Sequence, residues 1–459
     1  MRRKKEIDEW ALNYWLLQQY ARLCFRIYYR KIQFINKRRI PEKQPVIIAP
    51  NHQNALMDAM VLVTRTGFQN VFLARADIFK GKFLIRFLTY LNIMPVFRIR
   101  DGIENVKKND EVFEKTTRVL HNRHNPLVIF PEGNHGDRRR LRQLVKGIFR
   151  IAFQAQEKFE KNSGVKIIPV GIDYGHYQHF RTTLLINVGD PIEIADFYLD
   201  YTENPVTAIN KLKETYASQL SKLIIDIQTE EFYPLFMDLR EIYNDNMRSM
   251  LGIPGNSLYE RFRADKVMID VLNSELEQNP ENISILNDEV SNYMHDLRNA
   301  GLRDWVLKNE PFGFFNLFIS AIAKAIFLPV FLFGFLNNIV PYLFTATRVT
   351  NIKDQQFHSS FKYVVGMIAF PVWYLVIAGI MAFLSLPIWF IVLYILLLPL
   401  SGLIAFEYYI RFRKLLGKLR FTFRKNSDEM VALSEKRKRV SDFMKDIVNR
   451  HKDIYENPR

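Results

Sequence analysis

A chain of 459 residues, 48% hydrophobic and 24% charged, can bury more than one core; this excludes an intrinsically disordered protein and predicts two or more structural units. Its single cysteine, Cys24, excludes an internal disulfide, and the opening residues lack the leader pattern of a processed secreted protein, so the soluble part is expected to face a reducing cytosol. The net charge of +16 resides at the ends, with eleven Lys/Arg against three acids in residues 1–40 and fifteen against seven in 411–459, while the middle is near neutral.

Basic flanks beside apolar or amphipathic sequence fit anionic lipid headgroups at least as well as nucleic acid. The opening "RRKKEIDEWALNYWLLQQYARLCFRIYYRKIQF" mixes Trp10, Trp15, Leu16, Leu17, Leu23 and Phe25 with arginines and lysines. It suits either an interfacial helix or a packed N-terminal helix of a soluble domain. Residues 1–40 are assigned as a basic amphipathic, membrane-associating helix.

From 45 to 190, short apolar runs ("PVIIAP", "NVFLA", "IMPVFRI", "PLVIFPEG", "KIIPVGIDY", "TLLINVGDPI") alternate with helical stretches such as 107–123 and 144–161. This spacing predicts an α/β layer domain over 41–204, a mixed sheet flanked by helices. In "IIAPNHQNALMDAM" the first strand runs into a polar turn bearing His52, and Asp58 follows six positions later. A histidine there can offer a neutral ring nitrogen to a hydroxyl while a carboxylate binds the other ring N–H and stabilises the imidazolium. Alone, such a pair is more often a cap or a structural hydrogen bond than a catalytic dyad. No serine or cysteine stands near it in a nucleophile-elbow pattern, so the attacking group would be a hydroxyl of the substrate.

Two later stretches bear on the choice. In "NIMPVFRIRDG", strand alternation puts Arg98 and Arg100 on one face, either a phosphate clamp or a solvated face. In "LVIFPEGNHGD", a buried strand meets a turn with Glu132 and Gly133, where glycine lets backbone amides approach a ligand and the glutamate can bind a hydroxyl or pair with an arginine. The pairs His121/His124 and His176/His179 have metal-like spacing but no supporting cysteines or carboxylates, so no metal is expected.

Residues 205–310 read as polar helices. Pro311–Thr347 carries only Lys324 in 37 residues, long for one span and short for two, and reads as a tilted single span or a re-entrant pair bent near Pro329. The 44 residues from Tyr363 to Phe406 carry no charge, and ~66 Å of helix suffices for two crossings, expected at 364–384 and 386–406. The transmembrane region is thus 311–410, and "YYIRFRKLLGKLRFTFRK" after it places 411–459 as a basic cytoplasmic tail.

In order and spacing, four stretches resemble the blocks of the glycerolipid acyltransferase family, which contains the lysophosphatidic acid and glycerol-3-phosphate acyltransferases. "NHQNALMD" is similar to its first, catalytic block, "MPVFR" to its second, "FPEG" to its third and "IIPVGI" to its fourth, and "LVKGIF" lies where members have a lysine and glycine after the third block. The resemblance covers roughly residues 25–200. Its look is nearest to the fungal-type glycerol-3-phosphate acyltransferases and their bacterial relatives.

The resemblance implies an α/β acyltransferase domain followed by a helical region and C-terminal transmembrane helices. It gives His52 as the base, Asp58 as its orienter, Arg98 as the holder of the acceptor's phosphate, with Arg100 on the same face, Glu132 and Gly133 as completing that site, and Pro169 as part of a strand walling the acyl site. Two positions depart from the pattern. Five residues rather than four separate His52 from Asp58, so the turn must absorb one, and "NHGD" replaces the serine that commonly follows "FPEG".

The implied activity is transfer of a fatty acyl group from acyl-CoA or acyl carrier protein to glycerol 3-phosphate or 1-acylglycerol 3-phosphate in phospholipid biosynthesis. No cofactor is expected; the partners are these substrates and anionic membrane lipids, with the catalytic domain on the cytoplasmic face of a multi-pass membrane protein. One rival is a catalytically inactive lipid-binding protein with an acyltransferase-like domain, against which a retained base weighs. The other is a nucleic-acid binder suggested by "KRKR" (436–439), against which the near-neutral middle weighs.

Overall fold

The computed structural model describes residues 9–97, 109–122, 125–159, 164–308 and 312–456. The chain forms two compact units: one of residues 1–226 with 353–363, the other of residues 227–352 with 364–459.

The first unit is built on an eight-stranded mixed sheet. Its strands are β1 (Lys31–Ile35), β2 (Val46–Pro50), β3 (Val71–Arg75), β4 (Ile93–Val96), β5 (Leu127–Val128), β6 (Lys166–Tyr174), β7 (Thr183–Val188) and β8 (Ile192–Glu193). They lie in the order β1-β7-β6-β2-β5-β3-β4, with β8 pairing β6 off this path. From β6 to β4 neighbours are parallel, whereas β7 runs antiparallel to β6 and β1 runs parallel to β7. The central strand β2, "VIIAP", is apolar and buried throughout, as expected of a parallel strand covered on both faces.

The longer helices of this unit are α1 (Leu12–Tyr28), α2 (Ala55–Arg65), α3 (Gly81–Tyr90), α4 (Asn109–Asn122), α5 (Gly147–Gln156) and α6 (Pro205–Ser221). Side chains of α4, α5 and α6, among them Leu120, Phe149, Phe153 and Leu212, form one core with Ile47, Ala49 and Ile167 of the sheet. The Tyr216 hydroxyl of α6 donates to the Ala49 carbonyl at 2.9 Å, which satisfies a buried polar group against the strand that leads to His52. Strand β1 lies before residue 41, so the α/β unit begins earlier than expected. The signal was missed because "KIQFI" sits inside a basic stretch that hides its apolar alternation.

In the second unit, helices Leu258–Gln278, Pro280–Asn299 and Asp428–Arg450 pack together. The expected basic tail is therefore not a tail: Met430, Leu433, Val440, Met444 and Ile447 form a buried stripe at helical spacing. From residue 314 the segment expected at 311–347 forms two helices, Phe314–Ile326 and Leu328–Val349, which part at Phe327 just before Pro329. A proline, lacking an N–H, fits the first turn of a new helix better than the interior of a continuous one.

Among the described residues, three helices are long and apolar enough to cross a membrane: Leu328–Val349, Gln355–Phe383 and Ile388–Arg424. Leu328–Val349 and Ile388–Arg424 meet through small residues; a Cβ on Gly334 would lie 2.2 Å from the Ser401 carbonyl. Such contacts let helices approach where no water drives them together. Asn337 accepts at its side chain from the Tyr394 hydroxyl at 2.8 Å, and Asn338 from the Tyr374 hydroxyl at 2.6 Å.

Candidate active site

Strands β2, β5 and β6 run parallel, and their carboxyl ends carry the polar residues of the site, the usual position in open α/β sheets. Asn51, just past β2, clips that end to β6: its Nδ2 donates to the Ile172 carbonyl at 3.1 Å and its Oδ1 accepts from the Ile172 N–H at 2.7 Å. His52 follows this clamp.

The turn from His52 to Asp58 absorbs the additional residue. Ala55, the first residue of α2, has φ +41°, a left-handed backbone that alanine rarely takes, and the Met57 N–H donates to the Asn54 carbonyl at 2.8 Å. This tight entry brings Asp58 back against the histidine: His52 Nδ1 lies 2.9 Å from Asp58 Oδ2. Asp58 is fully buried. Its Oδ2 also accepts the N–H groups of Gln53 (2.8 Å) and Asn54 (2.7 Å), and its Oδ1 the Tyr174 hydroxyl (2.6 Å). A buried carboxylate ringed by donors acts as an acceptor, so His52 donates from Nδ1 and keeps a lone pair on Nε2.

Around the dyad, the Phe130 ring stacks on His52 with centroids 4.1 Å apart and planes at 24°, fixing the imidazole plane. The His52 N–H donates to Glu132 Oε1 at 3.1 Å, and the Gly136 N–H donates to the His52 carbonyl at 3.1 Å. Burial pushes the Glu132 carboxyl up to about 8, opposed by the His52 N–H and by the positive charge of Arg142. His135 stands edge-on to His52 at 5.5 Å, with its own affinity for a proton lowered by burial and then by His52.

A cleft beside His52 is lined by Gln53, Glu132, Arg138, Arg139 and Arg140. Arg139 Nε pairs with Asp173 at 2.9 Å, which neutralises the acid on the opposite wall. The lining thus holds three arginines against two acids, Asp173 and a Glu132 held toward its neutral form, a composition suited to an anionic group.

The structure thus brings His52, Asp58 and Glu132 together. Gly133 follows with φ +66°, the conformation expected of a turn glycine. Pro169 is buried in β6 opposite Ala49, its carbonyl accepting from the Gly189 N–H at 2.9 Å, four residues before Asp173 at the cleft. Arg98 and Arg100 lie outside the described residues. Among the described residues no group of three or more His, Cys, Asp or Glu is placed to hold a metal ion.

Reading the sequence overlooked Tyr174, Phe130 and the arginines 138–140. A tyrosine closing the otherwise apolar run "KIIPVGIDY" was the available signal for the first, and the basic run "DRRRLR" for the last.

Residues 31–173 match the family model described as Acyltransferase. Over this segment the chain is similar to acyltransferase domains. Two Saccharomyces cerevisiae proteins are similar to the chain. Glycerol-3-phosphate O-acyltransferase 1 is 28% identical over 206 residues, 44% of this chain and 25% of that protein. Glycerol-3-phosphate O-acyltransferase 2 is 24% identical over 307 residues, 62% of this chain and 38% of that protein. The chain therefore spans well under half the length of either relative. The crystal structure of the 1-acyl-sn-glycerophosphate acyltransferase PlsC from Thermotoga maritima aligns at a TM-score of 0.30 with 18% identity, covering 44% of this chain and 79% of that one.

Proposed function

We propose that this protein transfers a fatty acyl group from acyl-CoA or acyl carrier protein to a hydroxyl of glycerol 3-phosphate or 1-acylglycerol 3-phosphate. The observation that carries this reading is the 2.9 Å contact from His52 Nδ1 to a fully buried Asp58, which leaves Nε2 as the base. The names of the yeast relatives support the acceptor class. The arginine-lined cleft beside His52 suits the phosphate of either acceptor.

In this mechanism His52 Nε2 takes the proton of the acceptor hydroxyl as its oxygen attacks the thioester carbonyl. The tetrahedral intermediate collapses by breaking the C–S bond. The imidazolium, stabilised by the Asp58 charge, returns the proton to the departing thiolate, so ester and thiol form with no net change in the protein. Glu132 and Gly133 shape the acceptor end of the site, with Arg98 and Arg100 as further phosphate holders. Pro169 belongs to the wall of the acyl site. The domain acts on the cytoplasmic face of a multi-pass membrane protein.

The test is acyl transfer by purified protein in lipid vesicles, with glycerol 3-phosphate and lysophosphatidate offered separately, for the parent and His52→Ala. Transfer by the parent that is lost in a well-inserted His52→Ala establishes the base and names the acceptor. A parent inactive on both, or an unimpaired His52→Ala, leaves instead an acyltransferase-like domain that binds lipid.

A further inference from the structure

We propose that α3 is an interfacial helix, seated with the outer face of α1 in the headgroup layer of an anionic bilayer. Residues of α3 are exposed or half-buried, with none in the core: Phe83 is 83% exposed, Phe87 45% and Tyr90 37%. These three recur at i, i+4 and i+7, hence on one stripe. The two phenylalanine rings lie parallel with centroids 6.4 Å apart. The helix carries Lys82 and Arg86 and no acid, the charge complement of anionic phosphates.

The neighbouring helix shows the same pattern. One stripe of α1 (Tyr14, Gln18, Ala21, Phe25) is buried in the unit, while the opposite stripe, Leu12, Leu16 and Leu23, is 57%, 56% and 57% exposed. A helix facing water on its outer side would carry polar residues there. Tyr14 of α1 meets Tyr90 of α3 edge-to-face at 6.2 Å, so the two exposed stripes belong to adjoining helices.

The chain itself indicates lipid as the occupant. The Tyr363 hydroxyl donates to the Ala21 carbonyl of α1 at 2.7 Å, and its ring packs 5.9 Å from that of Phe25. Tyr363 lies in the opening turns of helix His358–Phe383, within a segment long and apolar enough to span a bilayer. Helix α1 is thus packed against the start of a candidate span, and α3 extends its apolar surface.

The test places a fluorophore at position 83 of the full chain in phosphatidylglycerol-containing vesicles, using Phe83→Cys in a Cys24→Ser background with Glu214→Cys on the exposed side of α6 as the aqueous control. Nitroxide lipids labelled near the headgroup should quench the Phe83 position at least two-fold more than the control, and water-soluble iodide should quench it less. Equal quenching of both positions by iodide overturns the proposal. So does a Phe83 label shielded from both quenchers, which would mean that protein, a second copy included, covers α3. Neither readout depends on acyl transfer, so failure here is distinct from failure of the catalytic reading.

Discussion

Tyr174 donates its hydroxyl to Asp58 Oδ1 at 2.6 Å, opposite the oxygen that holds His52. Both groups are fully buried, and burial together with the Asp58 charge raises the phenol well above its ordinary range, so it remains a donor at any working pH. Removing one donor to a buried charge costs roughly 1–3 kcal/mol. Tyr174→Phe is expected to lower kcat by about 5- to 100-fold with little change in the KM for acceptor. Steady-state kinetics check this, and an unchanged kcat would show that the phenol only fills space.

Asp58→Asn tests the orienter separately. An amide that turns its NH2 toward His52 Nδ1 reverses the tautomer and places the proton on Nε2, where the lone pair is needed. The expected loss in kcat is on the order of 10²- to 10⁴-fold, similar to His52→Ala. A variant with a native-like melting curve that keeps most of its activity would remove Asp58 from the mechanism.

Glu132 supplies a pH dependence whose sign follows from its raised affinity for a proton. Its folded value of about 8 exceeds the ordinary carboxyl value of 4.5, so the neutral side chain is the one the fold favours. That contribution to stability is fully present below about 4.5 and is lost as pH rises through about 8. Glu132→Gln, which can still accept the His52 N–H, should therefore raise the melting temperature more at pH 9 than at pH 5. In the parent, the KM for an anionic acceptor should rise above pH 8 as a negative charge enters the cleft, and the variant should lose that rise.

Much of this arrangement was legible before any coordinates. The strand of "VIIAP" and the turn glycine of "FPEG" follow from local rules, and the apolar stretch from Tyr363 to Phe406 follows from length and charge alone. The contact of His52 with Asp58 was not legible from spacing, because it depends on a left-handed Ala55 that a propensity argument would not assign. Tyr174 lies 116 positions from Asp58 and reaches it only because β6 lies beside β2. The tail was misread for a different reason: its charges dominate the composition, whereas its buried stripe of Met430, Leu433, Val440 and Met444 shows only at a period of 3.6.

Gly133 carries a steric constraint beside the site. With φ +66°, any side chain there is strained, and a Cβ would lie 3.0 Å from Val145 Cγ1. Gly133→Ala is expected to cost about 1–3 kcal/mol, through backbone strain and the contact together. Adding Val145→Ala should recover only the contact share. Denaturant unfolding of the single and double variants separates the two, and full recovery would show that the backbone conformation costs nothing.

The "KRKR" stretch suggested the nucleic-acid rival, against which the near-neutral middle of the sequence already weighed. Lys436 Nζ pairs with Asp296 at 2.5 Å, Arg437 Nε with Asp304 at 2.8 Å, and Arg439 Nε lies 3.6 Å from Glu289. Three of the four cations are therefore matched to acids within the helical unit, which weakens the electrostatic case for nucleic acid. Asp304 is 2% exposed and also accepts the Tyr293 hydroxyl at 2.7 Å. Arg437→Met would leave that carboxylate buried without its cation, at a cost of about 3–5 kcal/mol. The double variant Arg437→Met/Asp304→Leu should recover a large part of this, since no charge then stays buried. Thermal unfolding of the full chain in detergent provides the comparison, and a single variant as stable as the parent would show that water already solvates Asp304.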